Sequence, residues 1–398
     1  MTGSSGKGST VSMVAHILEG AGKKVVFNAS GSNVLTAIVT LVLSNTKAFS
    51  HEVDADVLLL EMDERYIAGT FRPGVITHMA VTNITRDQPA RNAHPEVILK
   101  KIMESLDDGM HLILNADDPI AMRMTFGHFG RQSTYGVAKV EGETGERPEY
   151  AIDAAYCPSC RGKLEYEAYH YGHLGVYNCP RCSFGRGSVK YEATEVDIKK
   201  GSFVVQGNRL VLDKKVFFAV YYTLLSYAIC DILGIDKETI VHEIDEDRKE
   251  AKRGKSYILA GRRIEMLESK NENSLSYLQS IDYIRNQDGK KTIILGFENV
   301  SRRYKHNDLS WLYDVPFERL NDESVDKIFV IGRFRNDVAL RLEYAGFDDD
   351  KLFLVEDMDK LLEDVVSHSA GNIYTMVCFD MTAIIKEKLE EREHEKED

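Results

Sequence analysis

The run Gly3-Ser-Ser-Gly-Lys-Gly-Ser-Thr10 constrains this chain more than any other stretch. Two glycines bracket a tight turn, a lysine follows at once, and hydroxyls follow the lysine. Glycines let backbone N–H groups converge on an anion, a following helix adds partial positive charge at its N-terminus, and Lys7 adds a full charge. Ser9 or Thr10 can offer an oxygen to a divalent cation such as Mg2+. Val11, Met13, Val14, Ile17 and Leu18 predict a helix opening at this loop. Only two residues, Ser4 and Ser5, stand between the glycines, where the usual phosphate loop has four. A Gly/Ser tag remnant is the competing explanation, but it leaves Lys7-Gly8-Ser9-Thr10 and the apolar helix unaccounted for. A phosphate loop normally leaves a strand, and only Met1 and Thr2 precede this one. The first strand of the sheet is therefore expected to be missing from the sequence.

A phosphate loop calls for a parallel sheet with ligands at the strands' C-terminal ends. Asp56 to Met62 is a continuous apolar run, as in a strand buried on both faces, and Glu61, Asp63 and Glu64 fall at or beyond its end. Val75 to Asn83 predicts a strand ending in Thr82-Asn83, and Met110 to Leu114 one ending in Asn115-Ala-Asp-Asp-Pro119. Lys24 to Asn28 reads as a short strand, and Asn33 to Leu43 and Pro95 to Leu106 as helices. Three strands finishing in acids or amides after such a loop point to a nucleotide site. Taken singly, each of these residues also suits a turn or helix cap.

The chain of 398 residues carries a net charge of −13, which argues against a general nucleic-acid binder. No apolar run reaches about 18 residues, so no transmembrane helix is expected. The polar start predicts no signal peptide and a cytoplasmic location. In that setting the six cysteines favour metal or free thiol over disulfide. Cys157-Pro-Ser-Cys160 and Cys179-Pro-Arg-Cys182 are separated by 18 residues. Two such pairs make a four-thiolate Zn2+ site, saturated and therefore structural. His170 and His173, between the pairs, read as surface or loop histidines. Sheet-like sequence resumes from Glu192 to Val211, so the ribbon is an insertion.

Phe217 to Leu233 predicts an apolar helix, with Cys230 in the core. The charged stretch Asp245 to Lys255 reads as a linker. Beyond it, strands at Thr292–Leu295, Lys327–Ile331, Lys351–Val355 and Asn372–Phe379 alternate with helices at Ser274–Arg285, Asp337–Ala345 and Met358–Ser367. Glu387 to Asp398 reads as a solvated helix end and tail.

With the loop, Glu61, Thr82-Asn83 and Asn115-Ala-Asp-Asp-Pro119 in hand, the chain resembles the Mur ligase superfamily. Its Lys-Gly-Ser form is nearest the folylpolyglutamate synthase branch. Leu164-Glu-Tyr166, Gly172-His-Leu-Gly-Val-Tyr-Asn-Cys179, Thr85-Arg-Asp-Gln88, Lys270-Asn271, Leu309-Ser-Trp-Leu-Tyr-Asp314 and Gly332-to-Gly346 narrow the resemblance to the MurT family, synthetase subunits of lipid II isoglutaminyl synthase. The resemblance implies an α/β fold. A Mur ligase-like ATP-binding domain with a mostly parallel sheet would span 1–252 and carry the zinc ribbon at 153–190. A smaller Rossmann-like domain would span 253–398. It further implies an ATP- and Mg2+-dependent ligase that activates the D-glutamate α-carboxylate of lipid II, reached from the cytoplasmic side, for amidation by ammonia from a GatD-like class I glutaminase partner. Carried over by position, Lys7 would hold the β/γ-phosphates, Ser9 and Glu61 the Mg2+. Gly3, Gly6, Gly8, Thr10, Asn83, Asn115 and Asp118 would hold the nucleotide. Asp308 or Asp314 would serve the partner's catalytic histidine, with Trp311 between them an interface anchor or a core indole. The chain departs from the family at Pro89 to Pro95, at Ala219 and Tyr222, and at Lys270 to Ser274, where adenine contacts and substrate alignment are expected to differ. An amino-acid-joining ligase, or a nucleotide-binding paralogue of weakened activity, are the alternatives.

Overall fold

A computed structural model describes residues 1–28, 33–47, 52–86, 94–150, 152–251, 257–267, 273–298 and 308–394. Residues 89–93 and Lys270, Asn271 and Glu272, singled out above, lie outside the described residues. The chain forms two compact units. Met1–Arg86, His94–Pro148 and Ile152–Arg253 make the first, and Gly254–Asp398 supplies most of the second.

In the first unit, helix α1 (Lys7–Gly20) follows the glycine turn, and β1 (Val25–Phe27), α2 (Leu35–Ser44) and β2 (Val57–Leu59) come next. β1 and β2 pair in parallel as a two-stranded sheet. β2 departs from expectation: it spans three residues and Leu58 is 38% exposed, so the apolar run is not buried on both faces. After the short α3 (Ile67–Thr70), the main sheet is built from β3 (His78–Val81), β4 (His111–Asn115) and β5 (Gln132–Val137), with α4 (Pro95–Met103) between the first two. β4 is buried at all five positions, as an apolar central strand should be. The hairpin β6 (Glu165–Tyr171) and β7 (Leu174–Asn178) stands apart from this sheet. β8 (Tyr191–Asp197), β9 (Ser202–Val205) and β10 (Asn208–Val211) complete it. The order is β10-β9-β8-β5-β4-β3, with β3, β4, β5 and β8 parallel and the last three strands an antiparallel meander. Thr2 forms a parallel bridge to Val81, and Met62 N–H donates to Met1 O, so these two residues lie between β3 and the segment after β2.

The apolar α5 (Phe217–Ile232) packs on α1, and α6 (Lys237–Ala251) packs on both. α6 corrects the linker reading, because residues 245–251 are helical. The charges misled because they pair along one face: Lys249 reaches Asp245 at 2.8 Å and Glu246 at 2.6 Å. Residues 252–255 lie outside the described residues.

The second unit is again α/β. Its strands are β11 (Tyr257–Leu259), β12 (Arg262–Met266), β13 (Lys291–Gly296), β14 (Val325–Ile331), β15 (Leu352–Leu354) and β16 (Asn372–Val377). Their order is β11-β12-β16-β13-β14-β15, parallel except for the β11–β12 hairpin. The helices are α7 (Ser274–Arg285), α8 (Arg335–Tyr344), α9 (Leu361–His368) and α10 (Phe379–His394). Trp311 is 3% exposed and packs on Tyr277 and Phe297. It is a core indole rather than an interface anchor.

Candidate active site and cysteine cluster

The glycine turn is shaped by what crowds it. Gly3 has φ 120° and Gly6, at the helix N-cap, φ 83°. A Cβ on Gly3 would lie 2.4 Å from Thr82 Oγ1 and 2.8 Å from Asn83 O, so only glycine fits there. The loop rests on the segment after β3. Ser4 N–H donates to Asn83 O at 2.8 Å, Thr85 N–H donates to Ser4 Oγ at 3.0 Å, and Asn83 Nδ2 donates to Ser5 O at 3.1 Å. Asn83 Oδ1 is buried and has no hydrogen-bond partner among the described residues. A buried amide oxygen left unpaired at a phosphate loop is a place for a ligand donor.

Lys7 is 6% exposed and reaches back into the turn, to Gly3 O and to Glu64 Oε1 at 2.9 Å. The same Glu64 oxygen accepts the Gly3 N–H at 3.2 Å. A carboxylate thus occupies the two donors that a phosphate would claim. The sequence placed Glu64 at the strand end without giving it this role. Glu61 is buried, with its backbone fixed by Asn28, whose side chain both accepts from Glu61 N–H and donates to Glu61 O at 2.9 Å. Its carboxylate borders Gly8: a Cβ there would lie 3.3 Å from Glu61 Oε2. Ser9 is exposed in the first turn of α1, whereas Thr10 is buried and donates to Gly6 O at 2.9 Å. Of the two hydroxyls, Ser9 is the one left facing outward.

Asn115 and Asp118 lie beneath the turn. Both are fully buried. Asn115 donates to Thr82 O at 3.1 Å and accepts from Asp117 N–H at 3.1 Å. Asp118 accepts from Ile84 N–H at 2.7 Å, Ile120 N–H at 2.8 Å and Ala121 N–H at 3.2 Å, and pairs with His173 Nε2 at 3.1 Å. Both side chains hydrogen-bond protein groups at the ends of the strands.

The histidines between the cysteine pairs are not surface residues. His173 is 2% exposed on Asp118, and the His170 ring, bonded to Glu143 at 2.8 Å and to Val137 O at 2.9 Å, has no exposed side-chain area. Arg186 pairs with Asp117, which also accepts from Val137 N–H at 2.6 Å and Tyr221 O–H at 2.9 Å. Burial pushes the Asp117 carboxyl up, against the pull of Arg186. Burial likewise opposes a charge on His173, but the Asp118 and Asp153 carboxylates outweigh it and raise its pKa.

The four Sγ atoms of Cys157, Cys160, Cys179 and Cys182 lie within 4.8 Å of one another, the one such group of metal-ligating side chains among the described residues. The knuckles interleave, with Cys157 3.5 Å from Cys182 and Cys160 3.4 Å from Cys179. A tetrahedron with Zn–S bonds of about 2.3 Å has edges of about 3.8 Å, so this cluster fits Zn2+. Cys230 is buried on α5, as expected.

In the second unit, Asp308 accepts from Ser310 N–H at 2.8 Å, just ahead of the turn Ser310–Asp314. Asp314 ends that turn, half-buried. Tyr313 and Tyr344, both exposed, stand edge to face beside them at 6.4 Å.

The glycine turn, the strand-end acids and the mostly parallel sheet give the first unit the fold of a Mur ligase middle domain. Residues 1–150 match the Mur ligase middle domain family. Solved structures agree in fold. A pseudomurein peptide ligase type C from Methanothermus fervidus superposes with a TM-score of 0.69 at 17% identity, over 98% of this chain and 77% of that one. A MurF ligase from Thermotoga maritima, solved in complex with ADP, gives a TM-score of 0.59 at 13% identity, over 98% and 80%. Residues 270–383 match the MurT ligase C-terminal family. The MurT subunit of lipid II isoglutaminyl synthase from Staphylococcus aureus is 25% identical over 348 residues, 87% of this chain and 76% of that one. The Streptococcus pneumoniae MurT subunit is 24% identical, over 99% and 87%. Among the described residues no helix is long and apolar enough to cross a membrane.

Proposed function

We propose that this chain is the ATP-using synthetase subunit of an amidotransferase that converts the D-glutamate α-carboxylate of lipid II to a carboxamide, with ammonia from a class I glutaminase partner. The observation that carries the reading is the convergence on the Gly3–Gly8 turn of Lys7, Glu61 and an Asn83 Oδ1 without a partner among the described residues, in a chain whose residues 270–383 match the MurT ligase C-terminal family.

ATP with Mg2+ would supply the phosphoryl group that makes a carboxylate oxygen a leaving group. Ammonia then adds at the carbonyl carbon, the C–N bond forms, the C–O bond breaks, and phosphate departs with its electron pair. The protein's part is placement and charge. Lys7 would leave Glu64 for the β/γ-phosphates. Ser9 and Glu61 would hold Mg2+, directly or through water. The Gly3, Gly6 and Gly8 amides would face the phosphate oxygens, and Thr10 would hold the turn closed through Gly6 O. Asn83 Oδ1 would accept a nucleotide donor, while Asn115 and Asp118 act from below. The four cysteines would hold a structural Zn2+. Asp308 or Asp314 would complete the glutaminase site.

The test is co-expression with the glutaminase and mass analysis of lipid II. Conversion of carboxylate to carboxamide lowers the mass by about one unit. An unchanged mass sinks the reading, and a gain of one amino-acid residue would assign an amino-acid-joining ligase instead. Asp308→Ala or Asp314→Ala should lower glutamine hydrolysis by the complex. If neither does, the partner-completing role is wrong.

A further inference from the structure

We propose that the cysteine ribbon positions the phosphate loop: His173 braces Asp118, and Asp118 together with Asp153 fixes the 82–86 segment on which Gly3 and Ser4 rest. The inference rests on the nucleotide-site reading of that loop.

Three consecutive backbone amides carry it. Ile84 N–H donates to Asp118 Oδ2 at 2.7 Å, Thr85 N–H to Ser4 Oγ at 3.0 Å, and Arg86 N–H to Asp153 Oδ2 at 2.7 Å. Each is satisfied by a side chain, so the segment's course depends on where those side chains stand. One face of the segment meets the loop, through Asn83 O to Ser4 N–H and through Thr82 Oγ1 crowding Gly3. The other face is held by Asp118 and by Asp153, which also accepts from Thr85 Oγ1 at 2.6 Å and from Arg86 Nε at 3.0 Å.

Both carboxylates answer to the ribbon. Asp153 lies just before Cys157 in the chain. Asp118 is paired with His173, the residue after the Gly172 turn between β6 and β7, at 3.1 Å. The ribbon's core keeps that turn in place: Tyr166 O–H donates to His173 O at 3.1 Å and to Ala154 O at 3.0 Å. Tyr166 itself packs with Cys157, Leu164, Tyr177 and Cys179. A continuous run of contacts therefore leads from the thiolates to Ser4.

Holding the ribbon onto the domain does not require His173. His170 on Glu143 and Val137, and Arg186 on Asp117, do that away from residues 82–86. This separates positioning from anchorage. Full-length wild type, His173→Asn, Asp153→Asn and His170→Gln should be compared by Mg·ATP titration and by amide exchange at Ile84, Thr85 and Arg86, with zinc content measured for each. His173→Asn and Asp153→Asn should weaken Mg·ATP binding about tenfold or more, the scale of one charge-assisted hydrogen bond, and should speed exchange at all three amides. His170→Gln should leave both unchanged, and His173→Gln, whose amide nitrogen reaches about as far as Nε2 where that of Asn falls short, should recover part of the loss. Should His173→Asn fail to fold, Asp153→Asn carries the comparison. Wild-type binding in both His173→Asn and Asp153→Asn overturns the inference, as does equal weakening by His170→Gln. A wild type that binds no Mg·ATP overturns the nucleotide reading, and this inference with it.

Discussion

Lys7 and Glu64 offer a quantitative test of the loop. Their charged atoms are 2.9 Å apart, and the residues are 6% and 5% exposed. At an effective dielectric constant of about 20, the attraction at that distance is about 6 kcal/mol. The desolvation of both ions offsets much of this, so the pair's net worth is small, but removing one partner strands the other charge in the interior. Lys7→Met and Glu64→Gln should each destabilise the first unit by about 3 kcal/mol or more. For a unit of this size that is a fall of roughly 6–12 °C in melting temperature. The double variant strands no charge. It should be no less stable than either single variant, giving a coupling energy of about 3 kcal/mol. A thermal-melt double-mutant cycle without nucleotide reads this directly, and additivity within about 0.5 kcal/mol would refute the buried pair. Nucleotide titration then separates stability from function. Lys7→Met should abolish Mg·ATP binding even under conditions where it is folded. Glu64→Gln should tighten it, because ATP no longer has to displace a carboxylate from Lys7 and the Gly3 N–H. If Glu64→Gln binds Mg·ATP equally well or more weakly, Glu64 does not compete with phosphate.

Three further outcomes are expected. Strong chelation should release one zinc per chain and expose residues 156–187 to protease, and freshly purified protein without zinc by elemental analysis would contradict the cluster. Gly3→Ala should lose nucleotide binding and melt lower than Gly142→Ala. Both positions have positive φ, which strains alanine by about 1–3 kcal/mol, but only Gly3 would also press a Cβ on Thr82 and Asn83; equal melting temperatures would remove the close-approach argument. Two histidines bend the stability–pH curve in opposite senses. Burial, helped by Arg131 and His78, pushes the buried His111 down to about 4, while an unfolded histidine titrates near 6.5. The unfolded chain thus binds the proton first, and stability should fall as pH drops from about 6.5 toward 4. His111→Asn should flatten that acid limb. His173, raised by Asp118 and Asp153, contributes stability below the unfolded value that is lost as pH rises through its folded value. His173→Asn should flatten the neutral-to-alkaline limb.

What could be read from the sequence was local or fixed by spacing. The glycine turn and α1 follow from consecutive residues, and the two cysteine pairs announce a cluster because four ligands are needed and four are supplied. The register of β4 is written in its unbroken apolar run. The misreadings share a different cause: each depended on a partner distant in the chain. The motif puts Asp118 at a strand end, but only the fold brings His173, 55 positions on, to share its carboxylate. His170 and His173 look solvated until Glu143 and Asp118 meet them. Glu61 and Glu64 are equivalent on paper, but one turn of chain puts Glu61 against Gly8 and Glu64 against Lys7. The sequence motif after β4 therefore has a double use that no spacing rule contains. Its asparagine and second aspartate hold Thr82 and Ile84 beneath the loop, while its first aspartate anchors the inserted ribbon through Arg186 and its second is braced by the ribbon's His173. An insertion tied by buried ion pairs to the carboxylates beneath the glycine turn cannot shift without moving them, since a carboxylate left behind unpaired in the interior is the more expensive alternative.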